Sequence, residues 1–410
     1  MPISSKIYDL TLGTVAENGN GCGNGCGYFF YRNPCNTDKW DLVLWCKRAD
    51  EAIRLKVLTN YNEMKDTMKV AVMLEIGRMG FEERPIPEIK PNEILVKLEY
   101  VGVCGSDIHY YETGRIGNYV VQPPFVLGHE SGGTVVKVGQ DVKHLKIGDK
   151  VALEPGKTCG HCHFCREGKY NLCSDVVFFA TPPVDGVFAE YVAHEADLCF
   201  KLPKNVDTLE GALIEPLAVG FHAANQGEAH AGQTAVVFGA GCIGLVSLMA
   251  LKAEGVNTIY VVDIMEKRLE KALEIGATAV INSSKINPIE EINKLTAGEG
   301  VNLVIETAGT EITTCQAINV AQKGSNIVLV GYSKTGEMIL PISLAIDKEL
   351  TFKSVFRYRH IYPMAIEAVA SGKVDLKSIV TNIFDFDDIQ SAMDMSVSDK
   401  SSIVKSVIKI

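Results

Sequence analysis

The stretch that most constrains this chain is residues 234–263, TAVVFGAGCIGLVSLMALKAEGVNTIYVVD. Its apolar, β-branched opening reads as a buried strand. Gly239, Gly241 and Gly244 come next in the order G-x-G-x-x-G, then an apolar helix and a second strand ending on Asp263. A strand that reverses tightly into a helix, with its backbone close to a pyrophosphate, has no room for a Cβ at the first two glycines. The third lets the helix lie close on the strand. The helix start offers unpaired N–H groups and a positive dipole end to phosphate. Asp263, nineteen residues beyond Gly244, can accept from both hydroxyls of a ribose and would repel a 2′-phosphate. The pattern predicts a unit that binds NAD in preference to NADP. Residues 233–251 carry no charge and are long enough to cross a bilayer, but three glycines in a turn and a strand-like first half argue against a span.

With 410 residues the chain has room for two domains and a small appendage. A net charge of −10 without a basic cluster argues against nucleic acid or an anionic membrane as partner. The opening MPISSKIYDLTLG lacks a charged start followed by an apolar run, so the expected location is cytoplasmic. In such a reducing compartment the twelve cysteines read as metal ligands or buried thiols rather than disulfides.

Residues 1–67 differ in character from the rest of the chain. Cys22, Cys26, Cys35 and Cys46 lie in and after a glycine-asparagine run that reads as a loop, and residues 41–58 suit a strand followed by a short helix. Their spacing, C-x3-C-x8-C-x10-C, matches no common metal site. The segment is expected to be a docking appendage or a dispensable leader, since a self-sufficient pattern opens at Met68.

From Lys69 the pattern is short strands and turns (KVAVMLEI, EILVKLEYVGVCG, GTVVKVG, DKVALEPG), which predicts a mostly β domain, barrel-like or sandwich-like. Two cysteine-containing sites lie on its turns. Cys104 in CGSDIHYY, with His129 and Glu130 in GHESGG, provides a thiolate, an imidazole and a carboxylate, three ligands that suit zinc and leave a fourth position open. Cys159, Cys162, Cys165 and Cys173, in CGHCHFCREGKYNLC, provide four thiolates for a closed structural zinc site. His161 and His163 are then spectators. After Pro216 a helix, AVGFHAANQG, leads into the glycine turn. The segments ATAVINS, VNLVIETAG, SNIVLVGYS and LTFKSVF alternate with helical stretches, which implies a doubly wound parallel sheet. Cys199, Cys242 and Cys315 are isolated and read as small buried hydrophobes.

Taken together, the cysteine lobe, CGSD with His109, GHE and GAGCIG resemble the zinc-dependent medium-chain dehydrogenases. HYYETGRIGNYVVQPPFVLGHE, KHLKIGDKVALEPG, FFATPPVDG, GALIEPLAVGFHA and VFRY are similar to the sorbitol (polyol) dehydrogenase branch. The likeness covers residues 68–410. One departure is that the animal sorbitol dehydrogenases lack the cysteine lobe that this chain keeps, as microbial polyol and butanediol dehydrogenases do. The resemblance implies an α/β architecture with a GroES-like catalytic domain over 68–215, a Rossmann domain over 216–355, and a return of 356–410 to the first domain.

The resemblance also implies roles for individual residues. Cys104, His129 and Glu130 would bind a catalytic zinc, and Glu215 would hold water at the metal or briefly ligate it. Ser106 and His109 would pass the substrate proton to solvent, while Asp107 would orient a ligand. Tyr110, Phe179, Glu215, Arg357 and Tyr358 would hold the polyol. Gly239, Gly241, Cys242, Ile243, Gly244, Asp263, Arg268, Val330 and Gly331 would contact NAD. The implied activity is reversible, zinc- and NAD-dependent oxidation of a secondary alcohol of a polyol of the sorbitol, xylitol or iditol type. A 2,3-butanediol or L-threonine dehydrogenase and a non-catalytic NAD-binding protein stand as alternatives. Two zinc ions per chain and a homodimer or homotetramer, built through the cofactor domains, complete the expectation.

Overall fold

The computed structural model describes residues 66–333, 336–399 and 401–410, together with the backbone of two earlier strands, β1 (Cys26–Arg32) and β2 (Trp40–Cys46). The chain divides into two compact units, Met1–Asp66 and Thr67–Ile410. In the first, β1 and β2 form an antiparallel hairpin in which Cys26 stands opposite Cys46. Of the strand and helix expected over 41–58, the strand is present from Trp40. The rest of that expectation, and the side chains of Cys22, Cys26, Cys35 and Cys46, lie outside the described residues.

The second unit opens with an antiparallel pair, β3 (Thr67–Glu75) and β4 (Arg78–Pro85). The long strand β5 (Glu93–Gly102) then runs through the middle of a seven-stranded sheet, and its side chains are mostly buried on both faces. With β6 (Glu130–Val138), β7 (Lys150–Leu153), β8 (Tyr191–Glu195), β9 (Cys199–Lys201), β10 (Val380–Asp385) and β11 (Lys405–Lys409), the order is β9-β7-β6-β5-β11-β10, and β8 also pairs with β5. The last strand, β11, is antiparallel to β5, with Val407 opposite Gly102. The C-terminal segment is therefore woven into the first sheet.

Helix α1 (Gly105–Thr113) leaves the end of β5 and is closed by Gly114 in the left-handed region. Helix α2 (Thr208–Gln226) begins on a capping box in which Asp207 accepts from Glu210 N at 3.0 Å and Glu210 accepts from Asp207 N at 2.9 Å. The sequence suggested a helix starting after Pro216; instead the helix starts at Thr208 and runs unbroken through Pro216. Losing one N–H and accommodating the ring costs about 3 kcal/mol. Burial of nearly every residue from Thr208 to Ala224, against β6 and β7 and against helix α3 (Cys242–Ala253), outweighs that cost. The contact with α3 is close: a Cβ on Gly220 would stand 2.6 Å from Val246 O.

The cofactor half is a six-stranded parallel sheet. Its strands are Thr234–Phe238, Thr258–Asp263, Ala279–Asn282, Val301–Glu306, Ala321–Leu329 and Thr351–Ser354, ordered 3-2-1-4-5-6 by sequence. The first strand is central, so the connections diverge to either side between it and Val301–Glu306. The carboxyl ends at that point form the crevice in which such sheets bind ligands. Residues 233–251 are split between the first strand and α3, and among the described residues no helix is long and apolar enough to cross a membrane.

Candidate functional site

Cys104 caps α1, and the third helical residue, Asp107, accepts from its backbone N–H at 2.9 Å. The other oxygen of Asp107 accepts from Gly128 N at 2.9 Å and lies 3.7 Å from His129 Nδ1. One buried carboxylate thus ties the loop carrying Cys104 to the loop carrying His129. Burial alone would raise the Asp107 pKa, but His129 and the two N–H donors outweigh it and hold the carboxyl below its usual range. Burial likewise favours neutral His129, yet Cys104 and Asp107 outweigh it and the ring holds its proton well above the usual pH. Ligation of a metal by His129 would require the ring to give up that proton. One ligand atom each from Cys104, His129 and Glu130 lies within 4.8 Å of the others, compact enough to share one ion.

The four thiols of Cys159, Cys162, Cys165 and Cys173 satisfy the same distance limit. Backbone N–H groups point at the sulfurs: Cys162 N to Cys159 Sγ at 3.3 Å, and Cys165 N to Cys162 Sγ at 3.5 Å. With the N–H groups of His161 and Cys162 turned toward it, the Cys159 thiol is drawn down to about 6, so it is a thiolate at neutral pH and ready for a cation. His161 and His163 stand outside the group, His163 Nε2 facing Glu167 at 3.2 Å.

At the glycine turn the three positions differ. Gly239 has φ +94, and a Cβ there would meet Thr307 Oγ1 at 2.6 Å. A Cβ on Gly244 would stand 1.8 Å from Gly239 O, so α3 packs against the turn with no room to spare. Around Gly241 the nearest atom to an added Cβ is Arg268 Nη1, at 3.7 Å. The protein leaves that space open, a cradle suited to the pyrophosphate of a dinucleotide. Asp263 closes the turn: Oδ2 accepts from Ala240 N at 2.6 Å, and Oδ1 from Ile264 N at 2.7 Å and Met265 N at 2.8 Å. Cys242 and Ile243 form the first turn of α3. Val330 and Gly331 donate to Glu306 O at 2.8 and 3.0 Å, which brings their loop to the same crevice.

Beside the Cys104 group, Glu215 projects from α2 and accepts from Tyr358 Oη at 2.8 Å. Burial is the main reason its pKa is pushed up to about 7. Ser106 and His109 lie half-buried on α1, three residues apart and so on one face. Tyr110, next on that helix, is 4% exposed and belongs to the core, its hydroxyl pushed up to about 12 by burial and by Asp107. Arg357 adopts φ +57, leaves Nη1 buried without a hydrogen-bond partner, and stacks its guanidinium 3.9 Å from the centre of the Phe178 ring. Phe179, expected to hold substrate, has its ring 4.7 Å from His194, whereas Phe178 is the one beside His129, at 5.8 Å. Phe178 ends a two-residue strand (Val177–Phe178) paired with Gly156–Lys157, and Phe179 begins the turn after it, so the two rings leave the backbone toward different neighbours.

Sequence reasoning also passed over Glu154. With Phe178, Arg357 and Tyr358 it lines a narrow cleft, and it accepts from Tyr170 Oη at 2.8 Å. Lys405, equally unremarked, is buried against Glu130.

Comparison with known proteins matches this geometry. Residues 90–204 match the alcohol dehydrogenase GroES-like domain, and residues 242–371 match the zinc-binding dehydrogenase domain. The chain is 43% identical to the sorbitol dehydrogenase of Bacillus subtilis over 338 residues, covering 82% of this chain and 96% of that one. It is 42% identical over 327 residues to a probable D-xylulose reductase A of Aspergillus clavatus, covering 78% and 91%. A solved Escherichia coli oxidoreductase/dehydrogenase of unknown specificity superposes with a TM-score of 0.81 at 44% identity, covering 84% of this chain and 99% of that one. The chain belongs to the zinc-dependent medium-chain dehydrogenases, in their polyol dehydrogenase branch.

Proposed function

We propose that this alcohol dehydrogenase oxidises a secondary hydroxyl of a polyol of the sorbitol, xylitol or iditol class to the ketone, reversibly, with NAD as the hydride acceptor. The observation that carries the reading is the convergence of Cys104, His129 and Glu130 within 4.8 Å, beside Glu215 and Tyr358. When bound there, zinc would supply the Lewis acidity that brings the pKa of a hydroxyl down toward neutrality.

The protein's own groups do the rest. Asp107 keeps His129 and Cys104 aimed at one point. Ser106 and His109 offer the hydroxyl and imidazole that lead the substrate proton outward along one face of α1. Arg357, with an unspent N–H and a fixed stack on Phe178, is placed to donate to a further hydroxyl of a polyhydroxylated chain. Glu215, poised near neutrality, accepts from Tyr358 and keeps a carboxylate oxygen available for water or substrate. The carboxylate of Asp263 disfavours a 2′-phosphate, which supports NAD. A homodimer or homotetramer built through the cofactor sheets belongs to the same proposal.

The test is a polyol panel with both cofactors on metal-quantified protein, wild type against Cys104→Ser. The variant is expected to keep the four-cysteine metal, lose the other, and lose NADH formation from sorbitol and xylitol. Undiminished turnover by Cys104→Ser would remove this group from the reaction.

A further inference from the structure

Lys405, the first residue of the last strand, is 2% exposed, an unusual place for an ammonium. Its Nζ makes an ion pair with Glu130 Oε2 and donates to Val103 O at 3.0 Å, so it grips one candidate ligand and the backbone just ahead of another, Cys104. Glu130 Oε2 is buried and has no partner of hydrogen-bond geometry among the described residues, so the Lys405 ammonium holds it through charge. Space for the pair comes from a glycine. A Cβ on Gly102 would stand 2.0 Å from Glu130 Oε2 and 3.1 Å from Lys405 Cε. Gly102 faces Val407 across the pairing of β5 with β11, so the lysine reaches the site only because the C-terminal strand docks there.

A buried ion pair is weak evidence for stability, because desolvating both charges offsets their attraction. What this pair does have is geometric consequence. An unrestrained carboxylate can give a metal one oxygen or both, whereas here one of the two, Oε2, is drawn to a buried ammonium. We infer that Lys405 is a positioning residue that holds Glu130 to one-oxygen ligation, and so keeps open the coordination position that substrate needs. The inference rests on the catalytic zinc reading proposed above. It adds a requirement on ligand geometry that the three ligands do not contain.

The idea separates from a purely structural role by the sign of the metal effect. If the lysine merely props up the site, removing it loosens the metal. If it restrains Glu130, removing it lets the second oxygen in: the metal stays, held at least as firmly, while turnover falls. The experiment compares wild type, Lys405→Met and Lys405→Gln, each loaded with zinc and, separately, with Co2+ at the same site. The readouts are metal content, release to a chromogenic chelator, the visible Co2+ absorption and kcat.

Both variants are expected to hold two metals per chain and to release the catalytic one no faster than wild type. Their Co2+ band should weaken severalfold as the ion gains a ligand, and kcat should fall about 10- to 100-fold, as for other residues that orient ligands. Faster release of that metal, or an unchanged Co2+ band together with unchanged kcat, overturns the inference. A wild type that holds only one zinc per chain defeats the catalytic zinc reading itself, an outcome distinct from either.

Discussion

Replacing Asp263 with serine separates the job that the structure shows for this carboxylate from the one proposed for it. It accepts three backbone N–H bonds at 2.6, 2.7 and 2.8 Å, which fasten the glycine turn to the end of the second strand. It also carries the negative charge that a 2′-phosphate would face. For unit charges about 5 Å apart the repulsion is about 1 kcal/mol at the dielectric of water and about 3 at an effective dielectric near 20. Asp263 is half-buried beside Ile264, which is 59% exposed, so the water-like figure is the lower bound. A phosphate near −2 doubles it to about 2 kcal/mol, or roughly 30-fold in the preference for NAD, before salt screening trims it. Asp263→Ser should therefore raise the ratio of kcat/KM with NADP to that with NAD by roughly 10- to 30-fold. Loss of the three tethers should also lower NADH affinity and the melting temperature. Measuring kcat/KM with both cofactors at fixed ionic strength, alongside a thermal melt, tells the two jobs apart. A lowered melting temperature with an unchanged cofactor ratio would mean that Asp263 is only a fastener, and the electrostatic account of cofactor choice would be wrong.

Two further outcomes concern buried groups. Burial pushes Glu154 up to about 7 against an ordinary 4.5, so below pH 4.5 it is protonated whether folded or not. Between 4.5 and 7 the folded state keeps a proton that the unfolded state has released, and above 7 the native state carries the full penalty of a buried charge. Glu154→Gln keeps an acceptor for Tyr170, so its stability advantage over wild type should grow from nothing near pH 4.5 to about 3 kcal/mol above pH 7. Melts at pH 5 and 8 showing a constant offset would contradict this. Cys162→Ser should lower the metal content by one per chain and open residues 159–173 to proteolysis, while leaving the Cys104 group its ion. An unchanged metal count would show that the four thiols do not share one.

The elements whose chemistry lies within a few consecutive residues were readable directly. The strand, glycine turn and helix of residues 234–263 declare themselves because a tight reversal, a close approach and an acid at the next strand end are all local demands. The four-cysteine lobe does so because its spacing alone can wrap one ion. The positions of Gly239 and Gly244 bear this out, with 2.6 and 1.8 Å to the nearest atoms a Cβ would meet, whereas Gly241 shows that the protein itself leaves space there.

Other features depended on neighbours distant in the chain. That Phe178 rather than Phe179 lies beside His129 turns on the register in which Val177–Phe178 pairs with Gly156–Lys157, and a shift of one residue reverses it. That α2 passes through Pro216 turns on burial against two sheet strands and α3, which no helix propensity contains. Lys405 reads as a surface charge in any alternating pattern, and it becomes a buried partner of Glu130 only once β11 pairs with β5 across some three hundred residues of intervening chain. The sequence by itself thus determined which chemical groups are present and how each short segment bends. The tertiary structure alone decided which groups meet and which charges are buried together, because those outcomes depend on long-range strand pairing and on the loss of solvent around groups that contiguous residues cannot bury.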